Sequence, residues 1–126
     1  MEASLYIHIP FCSGACDYCD FYSVSLNRLN GSSKAHLDSG FGDPRLEAFI
    51  ARLLLDAKQL FKTIRPTNIP TVYIGGGTPS VLGSKGIRTL LDGIKQLILQ
   101  VAPCPMEITV EANPESADEA FLAAAR

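Results

Sequence analysis

Thr71-Val72-Tyr73-Ile74-Gly75-Gly76-Gly77-Thr78-Pro79-Ser80 decides the fold. Four β-branched and aromatic residues run straight into three glycines, which reads as a short strand ending in a tight loop. On either side lie stretches whose apolar residues recur at i, i+3, i+4 and i+7, the spacing of one helical face. Upstream, Leu46, Phe49, Ile50, Leu53, Leu54, Ala57, Leu60 and Phe61 outline a helix. Asp43 suits its N-cap and Pro44 its first position, and it is expected to stop before Pro66. Downstream, Ile87, Leu90, Leu91, Ile94, Leu97 and Ile98 outline a second helix near Ser84 to Gln100.

Further out, Ser4-Leu5-Tyr6-Ile7-His8-Ile9 alternates and stops at Pro10, and Met106 to Glu111 is cut off by Ala112-Asn113-Pro114. Both read as strands. Ser116-Ala117-Asp118-Glu119 has capping-box spacing and is expected to open a third helix. The order β-loop-α-β-α-β-α implies an α/β fold with parallel strands joined by right-handed crossovers. Three parallel strands leave two open edges. Residues 1–126 are therefore expected to be the first portion of a larger α/β barrel or sheet. The stretch 24–42, rich in Ser, Asn and Gly, reads as a flexible loop or insertion. In such folds the functional loops sit at the carboxyl ends of the strands. Here those are the cysteine loop after Ile9, the glycine loop after Ile74 and the segment from Glu111 to Pro114.

Composition narrows the function. The chain has 126 residues, 47% hydrophobic and 19% charged, so it can bury a core. Eleven basic and thirteen acidic residues give a net charge of −2 without a Lys/Arg cluster, against binding to nucleic acid through phosphate neutralisation. No apolar run is long enough for a membrane span, and Met1-Glu2 does not open a secretion signal. The expected compartment is the cytoplasm, where thiols stay reduced.

Three of the four cysteines, Cys12, Cys16 and Cys19, are spaced Cys-x3-Cys-x2-Cys. In a compact loop three thiolates can hold a [4Fe–4S] cluster and leave one iron open to an external ligand. Two alternatives stand beside this. His8 could complete a Cys3His zinc site, although as a strand residue its direction is fixed by the pleat. Cys16-Asp17-Tyr18-Cys19 could be a dithiol redox pair, although Asp17 and Asp20 would raise rather than lower a thiol pKa. Cys104, between two prolines, reads as a small buried side chain. The glycine loop fits neither a phosphate-binding loop, since Gly77 and Gly83 are too far apart, nor GxGxxG, whose last glycine falls on Ser80. It reads either as a turn needing positive φ or as backbone exposed to a small polar ligand.

Tyr6-Ile7-His8-Ile9-Pro10-Phe11-Cys12 and Cys16-Asp17-Tyr18-Cys19-Asp20-Phe21-Tyr22-Ser23 resemble the cluster loop of radical S-adenosylmethionine (SAM) proteins. The likeness is closest to the HemN/HemW branch, oxygen-independent coproporphyrinogen III oxidases and related haem chaperones. Tyr73-Ile74-Gly75-Gly76-Gly77-Thr78-Pro79-Ser80 and Glu111-Ala112-Asn113-Pro114-Glu115 are similar to the branch's next two motifs, in the same order.

The resemblance implies the first part of a partial, TIM-like radical SAM barrel. It implies a [4Fe–4S] cluster on Cys12, Cys16 and Cys19, whose open iron takes the amino and carboxylate groups of SAM. Reductive cleavage of SAM then yields methionine and a 5′-deoxyadenosyl radical that abstracts hydrogen from a substrate. Tyr6 and Tyr18 are implied to lie against SAM, Gly76, Gly77 and Thr78 to meet its methionine end, and Glu111 to supply a carboxylate. An electron donor such as flavodoxin or ferredoxin and a porphyrin or haem are the implied partners. The oxidase pattern carries a cysteine where this chain has Phe21, so the haem-chaperone reading is preferred and the oxidase is the alternative. Ala15 stands where a basic residue is common. The later barrel strands and C-terminal domain of the family have no counterpart in these residues, so little or no turnover is expected of the chain alone.

Overall fold

The computed structural model describes residues 1–12, 24–25, 44–101 and 107–126. Strand β1 is Leu5–Ile9, β2 Phe11–Cys12 and β3 Val24–Ser25. Helix α1 follows at Pro44–Ile64, then β4 at Thr71–Gly76 and a 3-10 turn at Pro79–Leu82. Helix α2 is Gly83–Leu99, β5 is Glu107–Val110 and α3 is Glu119–Ala124. The main sheet has the order β1-β4-β5, with both pairs parallel.

The pleat sorts the strands into two faces. Leu5, Ile7 and Ile9 pair in register with Val72, Ile74 and Gly76, while Val72 and Ile74 pair with Ile108 and Val110. These side chains join Leu46 and Ile50 of α1, Ile87, Leu90, Leu91, Ile94 and Ile98 of α2 and Phe121 of α3 in one core. All three helices thus cover the same face. Spatial strand order follows chain order, so the sheet is singly wound as in an α/β barrel, without the reversal of a doubly wound sheet. The other face carries Tyr6 and Tyr73, 58% and 42% exposed. No described helix is long and apolar enough to cross a membrane.

Several sequence expectations need correction. Leu60, read as a core residue, is exposed: α1 buries Leu46 and Ile50 fully, half-buries Phe49, Leu53, Leu54, Ala57 and Phe61, and leaves Leu60 at the margin of that stripe. The third helix starts at Glu119, later than the capping box suggested. Asp118 caps it by accepting from the Phe121 N–H at 2.8 Å, while the Ser116 and Ala117 N–H groups both donate to the Asn113 carbonyl. That local turn takes the residues the box would have used. Val24–Ser25, read as part of a loop, form a strand parallel to β2 with Cys12 opposite Ser25. The Asp43 cap, residues 26–42 and Cys104 lie outside the described residues.

Helix α1 ends in an uncommon way. Arg65 has φ +50° and its N–H donates to Phe61 O at 2.9 Å. This is a left-handed C-terminal cap made without glycine, a conformation that costs a non-glycine residue roughly 1 kcal/mol. The start of the chain is stitched to the following loop. Thr67 N–H donates to Met1 O at 2.9 Å and Ala3 N–H to Asn68 O at 3.0 Å.

Candidate functional site

The carboxyl ends of β1, β4 and β5 meet at the glycine loop. Each of its glycines faces a different neighbour. A Cβ on Gly75 would lie 2.8 Å from the Tyr73 ring and 2.9 Å from Glu111 Oε2. One on Gly76, at φ +108°, would lie 2.8 Å from the His8 ring and 2.9 Å from Ile9 O. One on Gly77 would lie 2.5 Å from Phe11 O and 3.0 Å from Cys12 Sγ. Such separations are below van der Waals contact, so the loop has no room for side chains. The turn reading holds at Gly76, which has positive φ, while the bare backbone of Gly77 lies against the chain's own Phe11 carbonyl and Cys12.

Backbone bonds fix the loop against the cysteine segment. Gly77 N–H donates to Ile9 O and Thr78 N–H to Phe11 O, each at 2.7 Å. The Thr78 hydroxyl lies 3.7 Å from Cys12 Sγ and donates to it. From the other side, Glu111 N–H donates to Ile74 O at 2.9 Å, extending the β4–β5 ladder by one residue. Glu111 thereby stands beside Gly75 across the two strands. An open cleft of about 500 Å³ is lined by Gly77, Thr78, Pro79, Glu111, Ala112, Asn113 and Pro114. That is within the size range of small-molecule sites.

Glu111 is held by a neighbour that sequence reading did not single out. Tyr73 OH donates to Glu111 Oε1 at 2.6 Å. The Tyr73 ring stacks on Tyr6, with centroids 6.1 Å apart and planes at 27°, and Tyr6 OH lies 3.0 Å from His8 Nδ1. The Tyr73 pKa is raised above its ordinary 10.0, first by the hydrogen bond to Glu111, then by desolvation and by the charges of Glu111 and Tyr6. These residues occupy alternate positions on the open face, but only the register reveals that they are neighbours.

A second missed group anchors the Glu111 segment. Ser80, 1% exposed, accepts from Asn113 N–H at 2.9 Å and lies 2.6 Å from Ser116 Oγ, which reaches Asn113 O at 3.4 Å. With Ser80 donating to Ser116, the bonds run in one direction from the Asn113 amide through two hydroxyls to the Asn113 carbonyl. Asn113 Oδ1 also accepts from Glu115 N–H at 3.0 Å, a side-chain turn that suits Asn before Pro. Ser80 stands in a quoted motif, but its partner comes from 36 residues further along the chain.

The expected site residues divide accordingly. Gly76, Gly77, Thr78, Glu111 and Cys12 gather at the strand ends, and Tyr6 joins them through Tyr73. Cys16, Cys19 and Tyr18 lie outside the described residues. Among the described residues, no three His, Cys, Asp or Glu side chains converge as metal ligands. His8, the alternative zinc ligand, is set against Tyr6 and Gly76, whereas Cys12 meets Gly77 and Thr78. Cys12 is a free thiol set against the Gly77 main chain and the Thr78 hydroxyl, a donor whose chemistry suits an iron–sulfur group.

Comparison with known proteins agrees with this arrangement. The Radical SAM superfamily profile matches residues 6–126. The chain is 40% identical over 122 residues to "Heme chaperone HemW" of Mycobacterium tuberculosis, covering 97% of this chain and 28% of that protein. It is 39% identical over 113 residues to the protein of the same name from Buchnera aphidicola, covering 90% and 26%. It is 37% identical over 111 residues to that of Escherichia coli, covering 88% and 25%. The chain thus spans about a quarter of the length of these relatives. No solved structure matches it significantly. The chain belongs to the radical SAM superfamily, and its likeness within it is to HemW-type members.

Proposed function

We propose that this chain is the first part of the radical SAM core of a HemW-type haem chaperone, and that it holds a [4Fe–4S] cluster and the methionine end of SAM. Superfamily membership implies both cofactors. Cys12, Cys16 and Cys19 would hold the cluster, which supplies one-electron reduction of SAM when bound. The single observation that supports this most is the contact of the glycine loop with Cys12. The Thr78 hydroxyl donates to the sulfur, and the Gly77 backbone crosses where any side chain would strike it. A molecule attached to a metal at Cys12 would therefore meet the Gly77 main chain and the Thr78 hydroxyl.

In this reading the residues divide the work of binding. Gly76 and Gly77 offer backbone, and Thr78 steadies the Cys12 thiolate with a hydroxyl donor. Glu111 presents a carboxylate to the cationic part of SAM, an attraction that strengthens where water is excluded. Tyr6 and Tyr18 provide aromatic surface. Residues 1–126 would be one portion of the core domain. Contacts to haem or porphyrin, and to an electron donor such as flavodoxin or ferredoxin, would be made by the remaining length of such proteins. A cytoplasmic location belongs to the same reading, because it keeps the three thiols reduced.

The alternative is an oxygen-independent coproporphyrinogen III oxidase. Phe21, standing where the oxidase pattern has a further cysteine, favours the chaperone. The test takes a full-length protein containing this chain, with its cluster reconstituted. Stoichiometric haem binding and release to an acceptor protein, without consumption of coproporphyrinogen III, is the expected result. Decarboxylation of coproporphyrinogen III would select the oxidase.

A further inference from the structure

The open face of the sheet holds polar contacts that the binding scheme leaves unused. Register sets Tyr6 beside Tyr73 and His8 beside Gly75, and the bond from Glu111 N–H to Ile74 O puts Glu111 on the other side of Gly75. A row of two tyrosines therefore lies below a row of His8, Gly75 and Glu111. Side chains lean along a strand, so each tyrosine reaches the row above. Tyr6 OH meets His8 Nδ1 at 3.0 Å, and Tyr73 OH meets Glu111 Oε1 at 2.6 Å.

Gly75 explains how the second contact is accommodated. Its missing Cβ would lie 2.8 Å from Tyr73 Cε1 and 2.9 Å from Glu111 Oε2. Both partners of the hydrogen bond thus lie over the glycine, and a methyl group there would push them apart. The bond removes a freedom that Glu111 would otherwise keep, since an exposed glutamate samples many rotamers. Tyr73 has only two torsions and its ring is braced against Tyr6. It commits Oε1 and leaves Oε2 lying over Gly75 at the start of the glycine loop.

Resting on the reading of Glu111 as the carboxylate that meets SAM, we propose that Tyr73 is a positioning residue, holding Glu111 over Gly75 so that Oε2 is presented at the glycine loop. Gly75 is glycine to make room for this pair, a role separate from the packing of Gly77 against Phe11 and Cys12. A phenol is protonated at neutral pH and can donate, and the hydrogen bond to Glu111 raises the Tyr73 pKa further.

The test is a double-mutant cycle on a full-length protein containing this chain, with its cluster reconstituted and SAM affinity measured by equilibrium dialysis for wild type, Tyr73→Phe, Glu111→Gln and the double variant. Tyr73→Phe keeps the stacking ring and loses only the hydroxyl. The expected result is about tenfold weaker binding for Tyr73→Phe, in line with a hydrogen bond to a charged group, and no further loss when it is added to Glu111→Gln. A merely structural Tyr73 would weaken binding equally in both backgrounds, and that outcome overturns the proposal. Wild-type affinity in Tyr73→Phe alongside weak binding in Glu111→Gln also overturns it while leaving the reading of Glu111 intact. Unchanged affinity in Glu111→Gln, or no binding by wild type, removes that reading and the proposal with it. A second readout needs no cofactor: Glu111→Gln must lower the pH at which the latest tyrosine ionises, and an unmoved titration overturns the proposal by itself.

Discussion

The Thr78 hydroxyl lies 3.7 Å from the Cys12 sulfur, although 66 residues separate them in the chain. The contact follows from parallel pairing. Ile9 and Gly76 end β1 and β4 in register, so the loops that leave them run side by side. Two further bonds, Gly77 N–H to Ile9 O and Thr78 N–H to Phe11 O, lock the crossing. Strand geometry thereby brings the glycine loop against Cys12.

Gly77→Ala tests that crossing. The added methyl would sit 2.5 Å from Phe11 O, a backbone atom that cannot rotate away, and 3.0 Å from Cys12 Sγ. Overpacking of this kind costs about 1–3 kcal/mol. Thermal unfolding should show a lowered Tm, and a reconstituted variant should retain less iron. A variant matching wild type in both would mean that the two loops are not in contact.

Ser80→Ala probes the anchor of the Glu111 segment. It strands the Asn113 amide in a part-buried place and removes the hydroxyl that bonds to Ser116. Leaving such groups unpaired costs about 1–3 kcal/mol. Urea denaturation should give a lower midpoint for Ser80→Ala, with Ser80→Thr partly restoring it. Equal midpoints for wild type and Ser80→Ala would contradict the hydroxyl ring.

Much of this arrangement was legible in the sequence, and the exceptions share a cause. Helical periodicity placed α1 and α2 to within a residue or two, and the glycine run marked the end of β4. Periodicity reports which face a residue occupies and says nothing about its neighbour on the next strand. Tyr73–Glu111, set by register, and Ser80–Ser116, set by turns beyond the strands, are contacts between distant segments, so neither could be read from spacing. The two-residue pair β2–β3 escaped for the same reason: Val24–Ser25 become a strand only through Phe11–Cys12. The misplaced cap of α3 was a local conflict, where Asn113-Pro114 formed a turn that the capping-box pattern ignores.

Tyr73 gives a pH dependence. Its folded pKa is raised above 10.0, chiefly by the hydrogen bond to Glu111, so the native chain keeps a proton that the unfolded chain loses first. The contribution to stability is complete below about pH 10 and falls as the pH rises through the folded pKa. In a tyrosinate absorbance titration, one of the four tyrosines should ionise late in wild type. Denaturation midpoints above pH 10 should fall more steeply for wild type than for Tyr73→Phe. Identical slopes would show that the phenol–carboxylate bond does not form.

Whether three cysteines hold a cluster that takes SAM is decided by iron and acid-labile sulfide analysis of a full-length protein containing this chain, after oxygen-free reconstitution, together with the electron paramagnetic resonance spectrum of the reduced protein with and without SAM. About four irons and four sulfides per chain are expected, lost in each of Cys12→Ser, Cys16→Ser and Cys19→Ser, with a spectrum that changes when SAM is added. One tightly held zinc without sulfide, or a cluster spectrum indifferent to SAM, would contradict that expectation.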